Sequence, residues 1–133
     1  MTLTPKEVRG LWIADLEANA DKQGKKWLSC NGKQCCLGRL CLLAVEHGII
    51  PQKQTYSQAY CSNGGEDVTG FNGEVSTLPQ EVADWAGLTT ISGSFRNEDG
   101  YWDLWRLNDI DGKTFPEIAA VIRAEPEGLC KSE

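Results

Sequence analysis

Cys30, Cys35, Cys36 and Cys41 fall within twelve positions of "WLSCNGKQCCLGRLC", residues 27 to 41. Thiols at that density raise metal ligation, disulfide exchange and nucleophilic attack. Structural zinc takes close ligand pairs of the C-x2–4-C kind, repeated further along the chain. Here the gaps are four residues, none, and four, with no C-x-x-C. On a helix, Cys36 and Cys41 would diverge by about 140°. A nucleophilic cysteine needs a lowered pKa, which a helix N-terminus and nearby lysines would lend to Cys35 or Cys36. No histidine or acid lies close in sequence to act as its base. The expectation is therefore no metal, no cofactor and no catalytic cysteine, with the thiols packed as small core hydrophobes.

Cations and indoles make the second constellation. Lys22, Lys25, Lys26, Lys33 and Arg39 occur with no acid between Lys22 and Val45. Trp27 sits among them, while Trp102 and Trp105 adjoin Arg106 and the pair Asn108-Asp109. Flat rings beside cations suit a base or ribose-phosphate ligand. They suit a protein interface as well, and a basic stretch is often only a solvated surface. Asn108-Asp109 reads either as a turn bonding its own backbone or as a polar clamp on a ligand. The candidate ligand-binding residues are Lys25, Lys26, Trp27, Lys33, Arg39, Trp102, Arg106, Asn108 and Asp109. Trp12 and Trp85 read as core, and His47, the only histidine, as a helix-end residue. Asp103, Asp109 and Asp111 are the acids an enzyme would have to use, but no paired-carboxylate motif, P-loop or dinucleotide fingerprint is present.

These residues need elements to hold them. Thr4-Pro5-Lys6-Glu7 predicts a capped helix start, with Val8, Leu11, Trp12 and Leu16 facing inward to about residue 19. Asn31-Gly32 predicts a two-residue hairpin turn. That turn pairs Cys30 with Lys33, Ser29 with Gln34, Leu28 with Cys35 and Trp27 with Cys36. A helix follows to His47 with Leu37, Leu40, Cys41, Ala44 and Val45 on its apolar face, where Gly38 lets another backbone approach. "TLPQEVADWAGL" predicts a helix with a Thr77–Gln80 capping box, Val82 and Trp85 inward, and Gly87 as its stop. "TTISGSF" and "YWDLWRL" flank a turn and suit a hairpin, although "WDLWRLND" also suits a short helix. Thr114-Phe115-Pro116-Glu117 starts the last helix, with Phe115, Ile118, Ala119 and Ile122 inward. "QTYSQAYC" and "NGEVSTLP" have weak strand character, "CSNGGEDVTGFNG" reads as turns, and residues 125–133 read as a flexible tail. The fold class is α+β: a single domain over 1–133 with about four helices and one or two small β-hairpins.

The hydrophobic fraction of 41% is that of an ordinary globular chain, able to build a core without staples at this length. No apolar run is long enough to cross a bilayer, and the start lacks the pattern of a signal peptide. A cytoplasmic protein without membrane contact is therefore expected, and disulfides are not expected in such a reducing compartment. The net charge of −6 argues against duplex nucleic acid as a partner. Residues 1–53 carry a net of +3 and residues 54–133 a net of −9, which favours a small anionic ligand near the basic part.

"CCLGRLCLLA", "LPQEVADWAGL" and "LNDIDGKTFPEIAAVI" together resemble a recurrent small protein family of tailed bacteriophages and prophages. Its pattern is roughly CCLGxL, LPxxVxxWxGL and LNDxGxSFxEIAxxI. The match spans about forty residues in three blocks in the same order. "LNDIDGKTF" is one residue longer than the family's loop, and residues 49–77 match no block. The family mostly lacks an assigned function, so the resemblance implies origin rather than mechanism. It suggests counter-defence in the cytoplasm of an infected bacterial host. One form is a non-catalytic sponge, homo-oligomeric in the way sponges often are. Its ligand would be a nucleotide-derived immune signal, cyclic ADP-ribose-type or a cyclic dinucleotide. A protein-binding inhibitor of a host defence protein and a hydrolase of such a signal stand beside it.

Overall fold

The computed structural model describes residues 2–25, 27–30, 32–51, 54–60 and 67–131, with backbone only for 54–60 and 67–68. Helix α1 (Pro5–Ala18) starts on the capping box expected of it: the Thr4 hydroxyl accepts from Glu7 N, and the Glu7 carboxylate accepts from Thr4 N. Its inward stripe is Val8, Trp12 and Leu16. Leu11, expected with them, is 38% exposed, because 3.6 residues per turn carries it off that face.

Strands β1 (Ser29–Cys30) and β2 (Lys33–Gln34) form the hairpin around Gly32, whose φ is +75°. Ser29 pairs with Gln34 and Cys30 with Lys33, the register read from the sequence; Asn31 lies outside the described residues. The ladder stops there. Cys35, expected opposite Leu28, instead caps helix α2 (Cys36–Glu46). Gly38 lets α2 lie on β1's approach: a Cβ on it would sit 1.7 Å from the Leu28 carbonyl oxygen.

Strands β3 (Gln54–Tyr60) and β4 (Asp67–Gly70) complete an antiparallel sheet of order β2-β1-β4-β3. β3 was legible in "QTYSQAY". β4 falls in the stretch read as turns, and its pairing with both β1 and β3 overrides the low strand propensity of Asp and Gly. Residues 72–79, read as weakly strand-like, form no strand. Residues 52, 53 and 61–66 lie outside the described residues.

Helix α3 (Gln80–Ala86) begins later than expected. Pro79 is its N-cap, and the Thr77–Gln80 capping box does not form. Gly87 closes it at φ +72°, and buried Leu88 donates its N–H back to Ala83 O at 2.9 Å. Strands β5 (Ser94–Asn97) and β6 (Gly100–Asp103) make a second sheet, and helix α4 (Leu104–Asp109) follows at once, so both readings of that stretch hold. Helix α5 (Phe115–Ala124) has its Thr114–Glu117 capping box and buries Phe115, Ile118, Ala119 and Ile122. Of the tail read as flexible, residues 125–131 are described, and they are tied to the body of the domain. Thr89 N donates to Leu129 O, Lys131 N to Gly87 O, and Leu129 is fully buried.

The chain is thus one α+β domain, with five α-helices among the described residues and α1 packed on α2, α3 and α5. No described helix is long and apolar enough to cross a membrane.

Candidate ligand-binding site

The region of interest hangs on a buried amide. Asn108, near the end of α4, is fully buried. Its Oδ1 accepts from Gln23 Nε2 at 2.9 Å and Cys36 N at 3.2 Å. Its Nδ2 donates to Gly24 O and Asp109 Oδ1, each at 2.8 Å. Gln23 in turn donates to Lys113 O at 2.7 Å and accepts from Phe115 N at 3.0 Å. Two amides therefore tie together the loop after α1, the start of α2, the end of α4 and the start of α5. An amide oxygen has two lone pairs and its nitrogen two protons, so Asn108 has none left for a ligand. It clamps the chain itself, through partners the sequence does not mark.

Arg39 is corrected in the same way. Its Nε and Nη2 grip the two oxygens of Asp15 at 2.7 and 2.8 Å, and its Nη1 donates to Gln34 Oε1 at 2.8 Å. Both charged side chains are mostly buried, which makes this an internal lock between α1 and α2 rather than a phosphate contact. Lys25 and Lys33 are exposed, Trp27 is half-buried, and Lys26 lies outside the described residues. Gly24 N donates to Gln34 O and Leu28 N to Val75 O, both at 2.7 Å. Gly24 and Leu28 are therefore held by the hairpin, Val75 and Asn108.

Trp102 and Arg106 do meet. The guanidinium of exposed Arg106 lies 4.4 Å from the centroid of the Trp102 ring, within cation–π range. Phe95 pairs with Trp102 across β5 and β6, so the two rings share a face. They floor a cleft of about 460 Å³ completed by Leu107 and Val121, with Asn97, Asp111 and Lys113 as its polar groups. Lys113 escaped the sequence reading. It lies in "LNDIDGKTF", and its backbone is fixed by Lys113 N donating to Leu107 O and by the Gln23 bond.

A second cleft, about 360 Å³, opens beside α4 and is lined by Trp105, Asp109, Ser76 and Thr77. The candidate residues thus divide. Trp102 and Asp109 line separate clefts with Arg106 beside the first, whereas Asn108 and Arg39 hold the fold. A third cleft, lined by Lys6, Arg9 and Lys131 with Glu125 and Glu127, holds no aromatic ring, and its Arg9 donates to Ala86 O and Glu125.

The thiols pack as expected. Cys35, Cys36 and Cys41 are free and buried. Burial pushes Cys35 up to about 12 and lifts Cys36 and Cys41 well above the ordinary thiol value. Desolvation outweighs the help a helix N-terminus would give a thiolate. Among the described residues no cluster of His, Cys, Asp and Glu could hold a metal. Cys30 departs from expectation, being disulfide-bonded.

Fold and site together define a small α+β domain with tryptophan-lined clefts on either side of one short helix. The chain belongs to the family described as Domain of unknown function (DUF8296), whose model matches residues 4–126. No curated protein and no solved structure gives a significant match.

Proposed function

We propose that the protein binds a small nucleotide-derived ligand in the Trp102 cleft and leaves it chemically unchanged. The observation that carries this is the cleft's composition. Trp102 and Phe95 offer rings for a base, Lys113 a cation for phosphate, and Asn97 and Asp111 bonds for ribose or base edges. Such a set of apolar walls with a few convergent polar groups is the usual form of a small-molecule site. The buried, protonated thiols and a lone His47 that lines none of these clefts count against catalysis.

The resemblance to tailed-phage proteins directs the ligand toward immune signals, cyclic ADP-ribose-type or cyclic dinucleotide, sequestered in the cytoplasm of an infected bacterium. The disulfide at Cys30 counts against a reducing compartment. A thiol count on protein taken directly from the producing cell decides the compartment. Calorimetry against cyclic dinucleotides and ADP-ribose isomers tests the ligand. Silence across the panel at ~100 μM would sink the sponge, which needs sub-micromolar affinity to compete. Intact ligand recovered after heat release separates a sponge from a hydrolase.

A second reading rests on Tyr101, 74% exposed, and Ile110, 63% exposed, with Arg96 lying 5.4 Å from the Tyr101 ring. Tyrosine and arginine together are common at interface centres, which suits an inhibitor of a host defence protein. Salt-sensitive co-purification of one host protein, lost in Tyr101→Ala, is its test. A native mass spectrum of the purified chain decides whether it is a homo-oligomer.

A further inference from the structure

The two tryptophan clefts are the two flanks of α4. At 100° per residue, Trp105 and Asp109 fall within about 40° of each other, and Leu107 falls about 200° from Trp105. Leu107 lines the Trp102 cleft, while Trp105 and Asp109 line the other. Arg106 stands about 100° from both Trp105 and Leu107. It is exposed, and so forms the crest between the clefts. Across this surface the order is ring, cation, ring: Trp102, Arg106, Trp105. The carboxylates sit in the clefts, Asp111 in one and Asp109 in the other.

On the reading that the Trp102 cleft takes a nucleotide, we infer that the ligand has two bases joined through phosphate and straddles α4. One base enters each cleft, and the phosphate lies over Arg106. Three features carry this. The clefts, about 460 and 360 Å³, are at the small end for ligand sites and suit one base-sugar unit apiece. Asp109 and Asp111 accept bonds from ribose hydroxyls and base amino groups, and the cations that can meet the linker phosphate are Arg106 on the crest and Lys113 in the lining of the Trp102 cleft. The barrier to be crossed is one helix, about 10–12 Å across with its side chains, a span for a sugar-phosphate linker.

The second base then binds as an intramolecular event, so a two-base ligand gains on the order of 10²–10⁴ over a single nucleotide without any new kind of contact. The test is calorimetry of the full chain at fixed salt with AMP, GMP, cyclic di-AMP and cyclic di-GMP. One cyclic dinucleotide should bind at least ~100-fold more tightly than its mononucleotide. Trp102→Leu and Trp105→Leu should each erase most of that advantage. Arg106→Gln, at an exposed position that does not threaten folding, should weaken the dinucleotide by roughly tenfold, the worth of a charge-assisted bond. A dinucleotide no tighter than its mononucleotide, or unchanged by Arg106→Gln, overturns the straddling mode and leaves the single-cleft reading standing. Binding by none of the four overturns the straddling mode, and the single-cleft reading falls with it only when the ADP-ribose isomers are silent as well.

Discussion

Gln23 Nε2 donates to Asn108 Oδ1 at 2.9 Å across 85 residues of sequence. The bond closes a ring of contacts that also includes Cys36 N, Gly24 O and Lys113 O. The shape of both clefts beside α4 depends on it, because Leu107, Asp109 and Lys113 are carried by the segments it joins.

Asn108→Ala should therefore destabilise strongly. It leaves the buried Cys36 N–H and Gly24 carbonyl without their partner, at about 1–3 kcal/mol for each group left unsatisfied. The urea midpoint should fall with its slope unchanged. Asn108→Asp should fare no better, since it sets a carboxylate oxygen against Gly24 O. A ligand-contact role would instead leave stability near wild type.

Arg39→Ala should cost about 3–5 kcal/mol, because it strands a mostly buried Asp15 carboxylate. The paired change Asp15→Leu with Arg39→Met should recover most of that loss. Ligand affinity in the paired variant should match wild type. A large affinity loss there would restore Arg39 to the binding site.

Two glycine-to-alanine changes should act with opposite sign. Gly38→Ala drives a Cβ to 1.7 Å from Leu28 O, and should cost at least the ~1–3 kcal/mol typical of overpacking. Gly10→Ala meets nothing within 4 Å inside α1, and should stabilise by about 0.5–1 kcal/mol through helix propensity. Thermal unfolding of the two variants side by side reads both effects.

Stability should fall on the alkaline side. The Cys35 pKa is raised from 9.0 to about 12 by burial, so above pH 9 the unfolded chain releases a proton that the folded chain keeps. The contribution is complete below pH 9 and lost as pH rises toward 12, a fall with increasing pH because the unfolded state binds fewer protons. Cys36 and Cys41 act in the same direction. Cys35→Ala should flatten the curve between pH 9 and 12. A thiol reagent applied to native protein should modify Cys130, only partly buried, well before the buried Cys35, Cys36 and Cys41.

What the sequence alone determined is local. The Thr4–Glu7 and Thr114–Glu117 boxes, the apolar stripes of α2 and α5, and the hairpin register around Gly32 all follow from spacings of a few residues. Backbone sterics and hydrogen-bond geometry act at that range. Even there a competing neighbour could win, as when Pro79 displaced the Thr77 cap. Tertiary structure decided everything that depends on which distant side chain arrives. It gave Arg39 to Asp15, 24 residues away, and Asn108 to Gly24, 84 residues away, so two residues that looked ready for a ligand became internal locks. It also pinned the tail through Leu129 and placed Lys113 beside Trp102. Charge and hydrogen-bonding capacity are written in the residue type, but whether they are spent inside the protein or left facing solvent is settled only by packing.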